Sequence, residues 1–317
     1  MRRMLSCVLL GIMTSAPLLS AQTQNAAINR LAVLSRQNQL PELIQAADSL
    51  LATEKLTPVE QSLVLNFLGH AYKESGDVHQ ATAEYEKGLA ILERDGSHPV
   101  EYATTLGAMA VLYGDIGQPD TAKHLLLRAL DMLEKDGHEH AEMAWFWNNL
   151  ATIAADDQSK REAHKYMARS LAELKLVANP LPEEVQAITT TQAKIAQLDD
   201  DSRAAIAGYQ KALSLSKQIH GEQHPETAML YVLLGDAYVQ AGDVASARQM
   251  TTQGLNLLEA SCGRQSRRYL AAEIVYSRVL EASGSRNEAS TLRKEVLAGL
   301  KSDVQRNQGE ISVSALR

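Results

Sequence analysis

Small and apolar side chains recur along this chain at a long, fixed interval. Ala81, Ala122, Ala163, Ala205, Ala247 and Ala289 follow one another at steps of 41, 41, 42, 42 and 42 residues. Leucine keeps the same register eight residues later, at Leu89, Leu130, Leu171, Leu213, Leu255 and Leu297. A third row lies twelve residues before each alanine and holds only small side chains: Gly69, Ala110, Ala151, Ala193, Gly235 and Ser277. Ordinary helical periodicity can produce one such row but not three in common register. The pattern predicts a stacked array of internal repeats.

The rows also describe the repeat unit. Between each small residue and its alanine lies a turn, with glycine at Gly76, Gly117, Gly242 and Gly284, so each unit reads as helix, short turn, helix. Glycine ends a helix in the left-handed conformation without a Cβ penalty. Asp77 and Asp243, which follow two of these glycines, are placed to cap the next helix. The middle units have Gln158 and Asp200 at the glycine position, and their turns are expected to be built differently. Facing small residues let two helix backbones approach closely, and the leucine packs into the seam.

Several segments carry a recognisable motif. Leu68-Gly69-His70-Ala71-Tyr72, Ala110-Val111-Leu112-Tyr113 and Leu234-Gly235-Asp236-Ala237-Tyr238 resemble the first-helix motif of the tetratricopeptide repeat family. Ala81 with Tyr85, and Ala205 with Tyr209 to Leu213, resemble its second-helix motif, and Trp147 stands where the family has its large first-helix aromatic. The period is longer than the family's usual 34 residues and resembles the kinesin light chain subtype, whose His-Pro step is seen in His98-Pro99 and His224-Pro225. The resemblance covers about residues 58 to 300. It implies an all-α, right-handed α-solenoid of stacked antiparallel helix pairs whose first helices line a concave face that binds peptides or protein segments.

Departures from the motif fall mostly in the middle of the array. Ala154 and Ala196 replace first-helix aromatics, and Thr189-Thr190-Thr191 with Asp199-Asp200-Asp201 make that unit the most degenerate. Arg293 gives the last unit a polar face, as a terminal repeat requires. Upstream, residues 25–36 and 40–52 read as one further pair, with Pro41 near a helix start. The total is about seven units spanning residues 22–302, followed by a flexible tail at 303–317. Length alone suggests about two domains, but the continuous register argues for one array.

The amino terminus differs in composition. Arg2 and Arg3 precede an apolar run from Met4 to Met13, followed by Thr14-Ser15-Ala16-Pro17-Leu18-Leu19, small Ser20 and Ala21, and then polar Gln22-Thr23-Gln24. Residues 1–21 therefore read as a secretory signal peptide cleaved after Ala21. The expected location is periplasmic or secreted; the alternative is an uncleaved membrane anchor. Cleavage also removes two basic side chains, leaving 29 against 38 acidic ones and a net charge of −9. An acidic surface with few aromatics opposes nucleic-acid binding and attachment to membranes through basic residues. The mature chain keeps only Cys262, so no internal disulfide can form.

Apparent chemical motifs dissolve on inspection. Gly137-His138-Glu139-His140 lacks the zinc-protease spacing, and His140 shares the register of His98 and His224. The run Asp199-Asp200-Asp201 lacks the glycine and distal glutamate of a calcium loop. With no nucleophile elbow or phosphate-cradling loop, the expectation is a protein that is not an enzyme and uses no metal or cofactor.

Binding then falls to the first helices. Residues expected on their solvent side are Asn66, His70 and Lys73 in one unit and Trp145, Asn148, Asn149 and Thr152 two units later. Asparagine can donate to and accept from an extended peptide backbone, and Trp145 could serve as an apolar anchor; the competing reading places Trp145 in the core beside Phe146 and Trp147. Gly107 to Gly114 and Val232 to Val239 offer no cation, which opposes a clamp for a C-terminal carboxylate. The expected partner is a protein or extended peptide segment. The alternative is a solute enclosed within the array.

Overall fold

The computed structural model describes residues 25–96, 98–136 and 140–308; the signal-like segment at 1–21 and Gly137, His138 and Glu139 lie outside the described residues. The described chain is helical throughout: α1 (Ala26–Arg36), α2 (Leu40–Thr53), α3 (Pro58–Glu74), α4 (Val78–Asp95), α5 (Pro99–Asp115), α6 (Pro119–Asp136), α7 (His140–Asp156), α8 (Lys160–Leu174), α9 (Pro182–Leu198), α10 (Ser202–Ile219), α11 (Pro225–Ala241), α12 (Val244–Cys262), α13 (Arg267–Ala282) and α14 (Arg286–Gln308). These make seven helix pairs, the six that the rows predict and the further upstream pair, and no strand occurs among the described residues. Helix α14 runs past Asp303 to Gln308, and residues 309–317 lie outside the described residues. No described helix is long and apolar enough to cross a membrane.

Local sequence explains where the helices start and stop. Pro58, Pro99, Pro182 and Pro225 open first helices, at positions where a missing N–H is no loss. Asp77, Asp201 and Asp243 cap second helices by accepting from the backbone N–H of Gln80, Ala204 and Ser246 at 2.9–3.0 Å.

The turns inside the pairs correct one expectation. Gly76, Gly117, Gly242 and Gly284 are left-handed, with φ of 80–91°, but Gln158 and Asp200 adopt the same conformation at 59° and 66°. Their hydrogen bonds match too: Asp77 N–H reaches Tyr72 O, and Ser159 and Asp201 reach Ala154 O and Ala196 O at 2.8 and 2.9 Å. The closing bonds dictate the conformation, and the residue tolerates it. Because left-handed backbone is unfavourable for a residue with a Cβ, Gln158→Gly is expected to raise stability by about 0.5–1 kcal/mol, after allowing for glycine's greater unfolded entropy. A lower denaturation midpoint would show that the glutamine side chain supplies more than it strains.

The chain forms two compact units, one of residues 25–149 with 170–178 and one of residues 150–169 with 179–306. In the first, α3 packs on α4 and α5 on α6, while α1 and α2 join α3 in a core built on Ile28, Leu31, Leu43, Phe67 and Leu68. In the second, α9 packs on α10 and α11 on α12, with Tyr209, Ala212, Leu230 and Leu234 at the centre. All six row alanines are buried, none more than 2% exposed, so the repeat positions are packing positions. A Cβ on Gly69 would lie 2.5 Å from the Tyr85 ring, and one on Gly208 2.7 Å from the Cβ of Ala193; the small side chains permit these approaches. The Thr189-Thr190-Thr191 run lies within helix α9, and each hydroxyl donates to a carbonyl four residues back, so none competes for the helix's backbone N–H groups.

Candidate functional site

The first helices hold all seven candidate binding residues, but not on an exposed surface. Asn66, His70, Trp145, Asn148, Asn149 and Thr152 are buried, and the side chain of Lys73 is 6% exposed. This corrects the expectation that they face solvent. Helix α5 is buried from Thr105 through Gly114 and α7 from Met143 through Asp156, which a helix surrounded by other helices requires.

Within the first compact unit the candidates meet neighbouring first helices. Asn66 Nδ2 on α3 donates to Thr105 Oγ1 on α5 at 2.9 Å, and that hydroxyl donates to Glu101 O. Asn66 Oδ1 has no hydrogen-bond partner. His70 Nδ1 lies 3.4 Å from Ser35 Oγ on α1. Lys73 Nζ is 2.6 Å from Glu74 and 3.2 Å from Asp115 on α5, so this cation is already neutralised. Trp145 and Phe146, with ring centroids 5.0 Å apart, lie against Gly107 of α5, where any Cβ would collide with both rings. Trp145 is thus core packing between α5 and α7. Asn149 is fully buried on α7, and neither atom of its amide has a partner.

The second unit continues the same kind of contact, with Thr152 joined by residues that the sequence reading did not select. Thr152 on α7 shares a 3.0 Å hydrogen bond with Thr191 on α9. Asp156 Oδ1 is 2.6 Å from Lys194 Nζ, and both side chains are largely buried. Gln197 Nε2 donates to Asp236 Oδ2 at 2.8 Å while Tyr209 Oη donates to Gln197 Oε1 at 3.2 Å. Arg278 Nη1 reaches the other oxygen of Asp236 at 2.5 Å. Burial pushes the Asp156 carboxyl above its usual range, and the Lys194 ammonium pulls it back only in part. Burial also raises the Tyr209 phenol well above its ordinary value, with Asp236 and Asp156 adding to the effect. The signal for this row was present in the sequence: Thr152, Lys194, Asp236 and Arg278 recur at steps of 42, each one residue after a small-row position.

The other motifs resolve into structural roles. His140 opens α7 and pairs with Glu173 at 2.7 Å. Asp199 pairs with His164 at 2.7 Å, Asp200 takes the left-handed turn position and Asp201 caps α10.

Comparison with known proteins agrees with this architecture. A family model described as tetratricopeptide repeat matches residues 60–135 and 184–260. Protein KINESIN LIGHT CHAIN-RELATED 3 of Arabidopsis thaliana is 27% identical over 132 residues, which is 40% of this chain and 20% of that protein; the match thus spans about a fifth of the curated relative. Two solved structures are similar in fold. One is a Rap protein complexed with competence and sporulation factor, at 14% identity and a TM-score of 0.67 over 90% of each chain. The other is NprR in complex with its cognate peptide NprX, at 14% identity and a TM-score of 0.61 over 93% of this chain and 86% of that one.

Proposed function

The chain belongs to the tetratricopeptide repeat family, and from that premise we propose that it is a non-enzymatic scaffold whose first helices bind a protein or an extended peptide segment. The observation that carries this reading is Asn149, a fully buried amide with neither its donor nor its acceptor in use. Leaving such a group unpaired costs about 1–3 kcal/mol, and a peptide backbone offers the complementary donor and acceptor. Asn66, with an unpartnered oxygen on α3, is the second backbone contact in this proposal. The similar Rap and NprR structures were solved with a factor or a peptide bound, which supports the choice of ligand class. Because these asparagines are buried, this reading requires the helices to part to admit the bound segment.

Asn149→Leu tests the reading. Replacing an unpaired amide by an apolar group of similar size should leave the melting temperature unchanged or raise it. Capture of a partner isolated with the wild-type chain should weaken about tenfold. Unchanged capture, or loss of capture only in step with loss of folding, would remove Asn149 from the binding site.

We place this activity in the periplasm or outside the cell, on the signal-like composition of residues 1–21. In the native host, mass spectrometry of the mature amino terminus is expected to find Gln22. An intact Met1 on membrane-bound protein would establish the anchored alternative instead.

A further inference from the structure

The junction between α10 and α11 holds three metal-ligating side chains that the scaffold role does not use. His220 closes α10, and His224 and Glu226 open α11; one ligand atom from each lies within 4.8 Å of the other two. His220 Nε2 is 3.2 Å from Glu226 Oε2, and the two imidazole rings lie 4.6 Å apart at 21°. The His220 side chain is 4% exposed and that of Glu226 is 29% exposed, so the carboxylate faces the route from solvent.

The repeats supply an internal control for what architecture alone requires. His224 and Pro225 form the helix-starting step that His98 and Pro99 also form, so those two residues are explained by the fold. His220 is not. Positions fifteen residues after the other row alanines hold Gly96, Gly137, Ala178, Cys262 and Val304. At the His98 step the ring meets two carboxylates, Asp95 at 2.9 Å and Glu101 at 3.9 Å, and no second histidine joins it among the described residues. The α10–α11 junction therefore carries an extra imidazole beside an acid.

We propose that His220, His224 and Glu226 form a site for a borderline divalent cation of the Zn²⁺ class, with water completing the shell. Two imidazoles and a carboxylate are a donor set that such ions favour. Ligand atoms bound at about 2.0–2.1 Å in a tetrahedron lie about 3.3 Å apart. The His220–Glu226 separation already matches that edge, and rotation of the His224 ring brings in the third donor. That rotation has a competitor: His224 Nδ1 accepts from Glu226 N–H at 3.2 Å. Since a neutral ring has one lone pair and one N–H, capping and ligation exclude each other. Ion binding exchanges a long hydrogen bond for a coordination bond.

The test uses the untagged full chain stripped with chelator. Calorimetric titration with Zn²⁺ should show one equivalent bound, and Co²⁺ should give the intense visible bands of a four-coordinate ion. His220→Gln and Glu226→Gln should each weaken Zn²⁺ binding about tenfold or more, whereas His98→Ala should not, with circular dichroism confirming that each variant is folded. Absence of a bound equivalent, a pale six-coordinate Co²⁺ spectrum, or full affinity in both the His220 and Glu226 variants would overturn the proposal. The Co²⁺ spectrum is read on the wild-type chain, so the outcome does not depend on the variants folding.

Discussion

Replacing Trp145 with alanine is expected to lower stability by about 3–5 kcal/mol, the range for removing a large aromatic from a packed core. The ring is 3% exposed and rests where Gly107 on α5 has no side chain. The two positions are therefore complementary in shape, and enlarging one is equivalent to crowding the other. Gly107→Ala in the wild-type background should cost about 1–3 kcal/mol through overpacking. Placed on top of Trp145→Ala, the same change should cost less, because one of the two rings it meets is gone and the Phe146 ring can shift into the vacated volume. Such non-additivity is the signature of direct contact. A melting temperature unaffected by Trp145→Ala would contradict the core assignment and restore the ring as a candidate ligand anchor.

The contrast between what the chain revealed and what it concealed follows from which interactions repeat. Ala81 through Ala289 were legible because every helix pair needs a small side chain at its crossing, so one geometric demand was written six times. The turns at Gln158 and Asp200 were not legible: glycine marks a left-handed residue when present, but the hydrogen bonds from Ser159 and Asp201 impose that conformation without it. The candidate site failed in a more instructive way. Asn66, His70, Lys73 and Thr152 were assigned to solvent because they are polar on otherwise apolar helices. Their partners, Thr105, Ser35, Asp115 and Thr191, lie 35–42 residues away in the neighbouring first helix. The wheel of a single helix cannot show this, and of the four pairs only Lys73 with Asp115 falls at the 42-residue step that found the alanines. The Asn149 amide and one oxygen of Asn66 are left over after this pairing, and the proposed ligand contact rests on them.

The same pairing has a measurable cost at Asp156 and Lys194. Lys194→Met should destabilise the chain by about 3–5 kcal/mol at neutral pH, because it removes the ammonium beside a carboxylate that is 5% exposed. The loss should also depend on pH in a definite direction. Burial already holds the Asp156 carboxyl above its usual range with Lys194 in place, and removing the ammonium raises it further. A carboxyl raised on folding contributes stability fully below its unfolded value, near about 3.9, and loses it as pH climbs through the higher folded value. Measured against wild type at each pH, the Lys194→Met deficit should therefore be smallest around pH 4 and grow toward pH 7. Replacing both partners with apolar residues, Asp156→Leu with Lys194→Met, should recover most of the loss, since the pair's desolvation disappears with its attraction. A single-variant deficit that is the same at both pH values would mean that water reaches Asp156 despite its burial, and the polar row between first helices would then be a hydrated seam rather than a dry one.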